Sequence, residues 1–223
     1  MTPNKQNLLP EVPVTYLRRV QNLLRDGKRK LLGLVGAPGA GKSTLALALR
    51  RAFPDISQII PMDGFHLANV ELHRLGRAHR KGAADTFDSA GYVSLLRRLR
   101  QQAEGEIVYA PEFRREIEEP IAGAIAVNAA TQLILTEGNY LLLESCAWIE
   151  VPGLLDDIWY VDIDDRVRLD RLVARHEHFG RSHQAALDWI RDTDEPNARL
   201  IASTRRRAHI DFHWDGIPAG KLS

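Results

Sequence analysis

The eight residues Gly36-Ala37-Pro38-Gly39-Ala40-Gly41-Lys42-Ser43 constrain this chain more than any other stretch. They fit the pattern G-x-x-x-x-G-K-[ST] at every position. Each residue type has a mechanical task. The glycines let the backbone curl around phosphate oxygens with its N–H groups turned inward. Lys42 sets a cation against the outer phosphates, and the Ser43 hydroxyl can ligate Mg²⁺. The flanks agree. Lys30–Val35 reads as a short buried strand, and Ser43-Thr44-Leu45-Ala46 opens a helix that runs to about Phe53. The N-terminus of that helix adds partial positive charge to the anion site. A nucleoside triphosphate is the expected ligand of Gly36 to Thr44.

The rest of the chain alternates apolar strands with amphipathic helices. Apolar positions predict a helix over Val14–Asp26, closed by Gly27. Strands are expected at Ser57–Met62, Glu106–Tyr109, Gln132–Thr136 and Ile158–Val161, with an edge strand at His209–Phe212. Helices are expected at Tyr92–Ala103, Arg166–Phe179, Ser182–Asp192 and Asn197–Arg207. Residues 66–88 are polar, basic and rich in Gly and Ala, so they read as an irregular cover over the site. This alternation predicts an α/β fold with a mostly parallel sheet covered on both faces. Ligands in such sheets bind beyond the carboxyl ends of the strands. Gly36, Asp63, Tyr109, Glu137 and Asp162 all follow predicted strands and are expected to share one rim.

Three features there could do chemistry. Asp63 could accept a proton from a hydroxyl, or could cap the segment after Gly64. Glu137 ends the most apolar strand and could hold Mg²⁺ directly or through water, or could bond nearby backbone N–H groups. Arg168, Arg171 and Arg175 share one helix face. They could clamp a phosphoryl group, or form a solvated face paired with nearby acids. The basic run Arg74, Arg77, His79, Arg80 and Lys81 lies beside Asp85 and could touch an anionic substrate or form a mobile lid. His176 and His178, two apart on a helix, do not face one site, so no zinc centre is expected.

The net charge of +1 gives no bulk attraction to nucleic acid. Cys146 is the single cysteine; among Leu141, Leu142, Leu143 and Trp148 it reads as a buried apolar thiol. Nothing after Met1–Lys5 has signal-peptide character, and no apolar run reaches membrane-spanning length. A cytoplasmic protein is expected, read as a single domain over 1–223. The Asn-Lys-x-Asp sequence of GTPase switches and the Leu-Ser-Gly-Gly signature of transporter ATPases are both absent.

Six blocks occur in a telling order. They are the phosphate loop, Pro61-Met62-Asp63-Gly64-Phe65-His66, Lys81 to Asp88, Tyr109 to Phe113, Glu137-Gly138-Asn139-Tyr140 and Pro196 to Ile201. Over about residues 12 to 212 the chain resembles the superfamily of uridine kinase, bacterial pantothenate kinase and phosphoribulokinase. It is most similar to the branch of nucleoside kinase-like and fructose transport system kinases. The resemblance implies a P-loop three-layer sandwich with a small helical lid at about 166–192 and a substrate-covering segment at about 64–90. It implies an ATP- and Mg²⁺-dependent kinase acting on a hydroxyl of a small molecule, a sugar such as fructose or a nucleoside. A pantothenate-like acceptor, and a non-catalytic ATP-binding regulator of a sugar transport system, remain open.

By the same resemblance Asp63 is the base, and Lys42, Arg171 and Arg175 act on the phosphoryl group. Arg168 and Asn197 lie at the nucleotide, and Ser43 and Glu137 at the metal. His66, Asp85, Tyr109, Arg114 and Arg115 line the acceptor pocket. Relatives also suggest a homodimer. Arg114 departs from the pattern, since an Asp often precedes the arginine matching Arg115. Its charge points to an acceptor that is anionic or differs from uridine.

Overall fold

Residues 9–214 are described by a computed structural model; the Met1–Lys5 reading lies outside them. Among the described residues seven strands occur: β1 (Lys30–Val35), β2 (Ser57–Pro61), β3 (Ile107–Arg114), β4 (Glu119–Asn128), β5 (Leu133–Gly138), β6 (Asp157–Val161) and β7 (Ile210–Phe212). The α-helices are α1 (Val14–Leu23), α2 (Lys42–Ala52), α3 (Asn69–Arg74), α4 (Ser89–Arg100), α5 (Asp165–His178), α6 (His183–Trp189) and α7 (Glu195–Ser203). Five strands form one parallel sheet in the order β2-β5-β1-β6-β7. Among the described residues no helix is long and apolar enough to cross a membrane.

The sheet is covered on both faces, so its strands are apolar throughout yet still alternate between two cores. Leu31, Val35, Ile134, Ile158 and Tyr160 point to one core, with Tyr92, Leu96 and Leu99 of α4. Leu32, Leu34, Leu133, Leu135, Trp159 and Val161 point to the other, with Leu45 and Leu49 of α2 and Val20 of α1. Each fully buried leucine contributes about 2 kcal/mol of transfer free energy.

The expected strand at Glu106–Tyr109 is real but does not join the parallel sheet. It is the first arm of an antiparallel hairpin with β4. Val108 and Ala110 are buried while Ile107 and Tyr109 are exposed. That period of two marks a half-exposed antiparallel strand. Residues 66–88, expected to be irregular, include α3 and two short 3-10 turns at Ala78–Arg80 and Ala84–Thr86. Cys146 is exposed rather than buried. It opens the 3-10 turn Cys146–Glu150, in which Trp148 takes the core position.

α6 does not stop before Pro196. It runs through a π-helical segment, Ile190–Asp194, straight into α7. Pro196, which has no N–H to give, falls directly after the π-helical segment, in the first turn of α7.

At the pole of the sheet opposite the phosphate loop, Asp157 ties together α1, β6 and the segment leading into β7. Its carboxylate accepts bonds from Arg19 (2.5 and 2.8 Å), Trp159 Nε1 (2.8 Å) and His209 Nδ1 (3.0 Å). Burial pushes this carboxyl up, but the bonds from Arg19, Trp159 and His209 outweigh it and hold it below the usual range. A depressed carboxyl stabilises the fold above its unfolded value, and that stability is lost as pH falls through the folded one. We expect Asp157→Asn to cost about 3 kcal/mol at pH 7. Urea unfolding at falling pH should show the gap to wild type closing below about pH 4.

Candidate active site

The phosphate loop leaves β1 at Gly36 and enters α2 at Lys42. Gly39 and Gly41 have φ of 82° and 94°, the left-handed region that glycine enters without strain. A Cβ on Gly39 would also sit 2.8 Å from the Arg168 carbonyl oxygen. No side chain caps α2, so its first N–H groups remain available to an anion. Lys42 is buried, and Nζ donates to the carbonyls of Gly36 (3.0 Å) and Ala37 (3.1 Å). Burial pulls its pKa down to about 8, while the charges of Glu137 and Asp63 push back. This cradle of glycines, free helix N–H groups and a buried ammonium fits a polyphosphate.

Glu137 lies within β5, paired in register with Pro61 and Leu34. Its carboxylate is buried and accepts a hydrogen bond from Ser43 Oγ at 2.8 Å. Burial, and then the charge of Asp63, raise its pKa. A hydroxyl and a carboxylate are hard oxygen donors of the kind Mg²⁺ takes when phosphates and water complete its shell.

Asp63 sits in a short 3-10 turn, Met62–Phe65, directly after β2. Gly64 is required there, because a Cβ would lie 2.4 Å from the Pro111 carbonyl oxygen. That close approach presses the turn against the hairpin, and Arg115 from the hairpin reaches Asp63 Oδ2 at 3.2 Å. Asp63, Glu137, Ser43, Phe113 and Arg115 border two cavities of about 530 Å³ each. One runs over the phosphate loop and includes Lys42, His66, Lys81, Arg175 and Asn197. The other lies between α2, β2 and the hairpin, against Leu47, Arg50 and Ile59.

The predicted residues divide. Lys42, Ser43, Asp63, Glu137, His66, Arg115, Arg175 and Asn197 come together around the loop cavity. Arg171 lies against the loop, its Nη1 3.3 Å from where a Cβ on Gly41 would sit. Arg168 does not face the cavity. It is buried and bonded to Asp165 (2.9 Å) and Glu195 (2.5 Å), so the arginine face splits into one structural and two loop-side members. Asp85 is held by Arg80 and Arg77 and lines neither cavity. Tyr109 points outward from the hairpin, 56% exposed. Arg114 lines neither cavity and bonds Glu112, which borders the cavity between α2, β2 and the hairpin, at 2.7 Å. Asp162 is taken by Arg205 at 2.7 Å.

Some contacts at the cavity cannot be read from residue spacing. Phe113 lies under Lys81, whose Nζ is 5.2 Å from the ring centroid. Lys81 is the member of the basic run that faces the cavity, fixed by Asn69 Oδ1 (2.6 Å) and the Glu118 carbonyl. His176 Nε2 meets Asp194 at 2.8 Å, tying α5 to the π-helical segment. Such segments often mark functional sites, but their position cannot be read from residue spacing. Arg181 lies over the Trp189 ring at 3.8 Å, and both border the cavity.

The parallel sheet, the phosphate loop and the strand-end acids define a P-loop kinase, an ATP-using phosphotransferase. No protein-family model matches the chain. A Schizosaccharomyces pombe relative named for uridine kinase is 37% identical over 170 residues, covering 72% of each chain. YggC of Escherichia coli is 30% identical over 203 residues, covering 89% of this chain and 83% of its own. The crystal structure of a Silicibacter sp. TM1040 protein named for a fructose transport system kinase superposes with a TM-score of 0.81 at 35% identity. It covers 89% of this chain and 98% of its own. The chain belongs to the uridine kinase-like family of P-loop kinases.

Proposed function

We propose that this kinase transfers the γ-phosphoryl group of ATP to a hydroxyl of a small polyhydroxy compound, a sugar or a nucleoside. The observation that carries the reading is the position of Asp63, between the phosphate loop and the cavity wall formed by His66, Lys81 and Phe113. Arg115 holds the Asp63 carboxylate by one oxygen and leaves the other for the acceptor hydroxyl. As the new O–P bond forms and the bond to the leaving diphosphate breaks, the hydroxyl proton passes to Asp63. Lys42, Arg171 and Arg175 supply positive charge where the equatorial oxygens gather it. Ser43 and Glu137 would hold Mg²⁺, which when bound neutralises charge on the β- and γ-phosphates. The helices α5 and α6 act as the lid, and residues 64–90 cover the acceptor.

The test is ADP release on a panel of D-fructose, D-ribose, uridine, pantothenate and D-glycerate. We expect at least one neutral polyhydroxy acceptor to raise release well above the acceptor-free rate. A flat response across the panel would leave ATP binding without transfer and would overturn the reading.

A further inference from the structure

His66 follows the turn that carries Asp63, and its ring is fixed from three sides. Nδ1 lies 2.8 Å from the Asp63 carbonyl oxygen. A carbonyl oxygen only accepts, so this nitrogen carries the hydrogen. Phe87 and Phe113 flank the ring at centroid distances of 4.0 and 4.5 Å. A bridge between the His66 and Phe87 backbones locks the segment further. The imidazole therefore cannot turn over without displacing two aromatic side chains.

Burial holds the ring below the usual histidine range. The charge of Asp63 and the carbonyl bond oppose this, while Lys81 and Arg115 add to it. A neutral imidazole has one hydrogen, and here Nδ1 holds it. Nε2, on the far side of the ring, bears a lone pair. It has no hydrogen-bond partner among the described residues and is not sealed from solvent.

The surroundings make this lone pair unusual. Lys42, Lys81, Arg115, Arg175 and Arg181 border the same cavity and can only donate. Of the carboxylates there, Asp63, Glu137 and Asp194 already receive bonds from Arg115, Ser43 and His176, while Asn139, Thr193 and Asn197 carry groups that donate as well as accept. His66 Nε2 is an uncharged acceptor without a partner, on the residue third in sequence from Asp63.

We propose that His66 Nε2 reads a second, non-reacting hydroxyl of the acceptor by accepting its hydrogen bond. This deepens the polyhydroxy reading above and rests on it. A hydroxyl satisfies the lone pair. A carboxylate or phosphate oxygen at that point sets lone pair against lone pair, and an unsubstituted carbon leaves a polar group unpaired. The acceptor is thus a polyol type, with a hydroxyl rather than an anionic group beside His66.

Two measurements test this. In ¹⁵N-histidine-labelled protein, with His66 assigned from His66→Gln, the ring at pH 8 should be the neutral Nδ1–H tautomer, and it should take up its second proton only below the free-histidine range. An Nε2–H tautomer, or an ordinary titration near the free-histidine value of about 6.5, overturns the proposal. For any of D-fructose, D-ribose or uridine that is turned over, monodeoxy and monofluoro analogues are compared at each non-reacting hydroxyl. Fluorine can accept but cannot donate. At one position both analogues should lose about tenfold or more in kcat/KM. In His66→Phe that penalty should vanish, and in His66→Gln, whose amide oxygen can accept, part of it should return. Turnover without such a position, or a penalty unchanged in His66→Phe, sinks this proposal alone. No turnover of any parent compound sinks the polyhydroxy reading, and this proposal with it.

Discussion

Asp63→Asn is expected to lower kcat by about 10³-fold while nucleotide affinity stays within a few-fold of wild type. The amide keeps the size of the carboxylate and can still accept from Arg115. It cannot take up the acceptor proton. The phosphate cradle is built from Gly36, Gly39, Gly41 and Lys42 on a different strand end, so it should be untouched. Titration with a fluorescent ATP analogue and single-turnover kinetics would separate the two effects. Wild-type turnover in this variant would remove Asp63 from the base role. A loss of affinity equal to the loss of turnover would make it a binding residue instead.

Lys42→Ala should be comparably severe, at about 10³-fold in kcat/KM. It should also leave a thermodynamic mark. The free Lys42 ammonium has a pKa of about 8, because burial works against its charge. At pH 8 it is half protonated. Phosphate oxygens brought within reach favour the charged form, so nucleotide binding should draw in about half a proton at that pH. Uptake should fade toward pH 6.5, where the amine is already charged. Calorimetry in two buffers of different ionisation heat reads this directly. Uptake that persists unchanged in Lys42→Ala would assign the proton to another group.

The phosphate-binding half of the site was legible in the sequence because local backbone chemistry determines it. Gly39 and Gly41 need left-handed φ, Lys42 and Ser43 follow at fixed spacing, and the apolar strand before them admits one outcome. Asp63 and Glu137 were also legible, since an acid that ends a buried parallel strand falls on the ligand rim. The acceptor half was harder to read. β4 is rich in Ala and Gly and has weak strand propensity, so Glu119–Asn128 gave no signal of the hairpin. Without the hairpin, Tyr109 was expected at the rim, and Arg114 and Arg115 were both expected in the acceptor pocket. Arg114 ends β3 beside Glu112, and Arg115, the first residue of the hairpin turn, reaches Asp63. Asp85 was expected at substrate hydroxyls; Arg77 and Arg80 of the neighbouring basic run hold it instead, through turns whose geometry spacing does not predict. Arg168 shares a helix face with Arg171 and Arg175, yet the acid that claims it, Glu195, lies on another helix.

The two acids are not set by loops of equal freedom. Glu137 sits inside a strand paired on both sides, opposite Leu34 and Pro61. Sliding β5 by one residue would shift that carboxylate about 3.3 Å and turn it to the opposite face. Its place can change only in whole steps that would wreck both cores. Asp63 hangs from a turn held by a hairpin and a covering segment, both outside the sheet. Insertions or exchanges in those two pieces can reshape the acceptor cavity while leaving the sheet register alone. A lineage built on this frame can change what it phosphorylates far more readily than how it holds the phosphate donor.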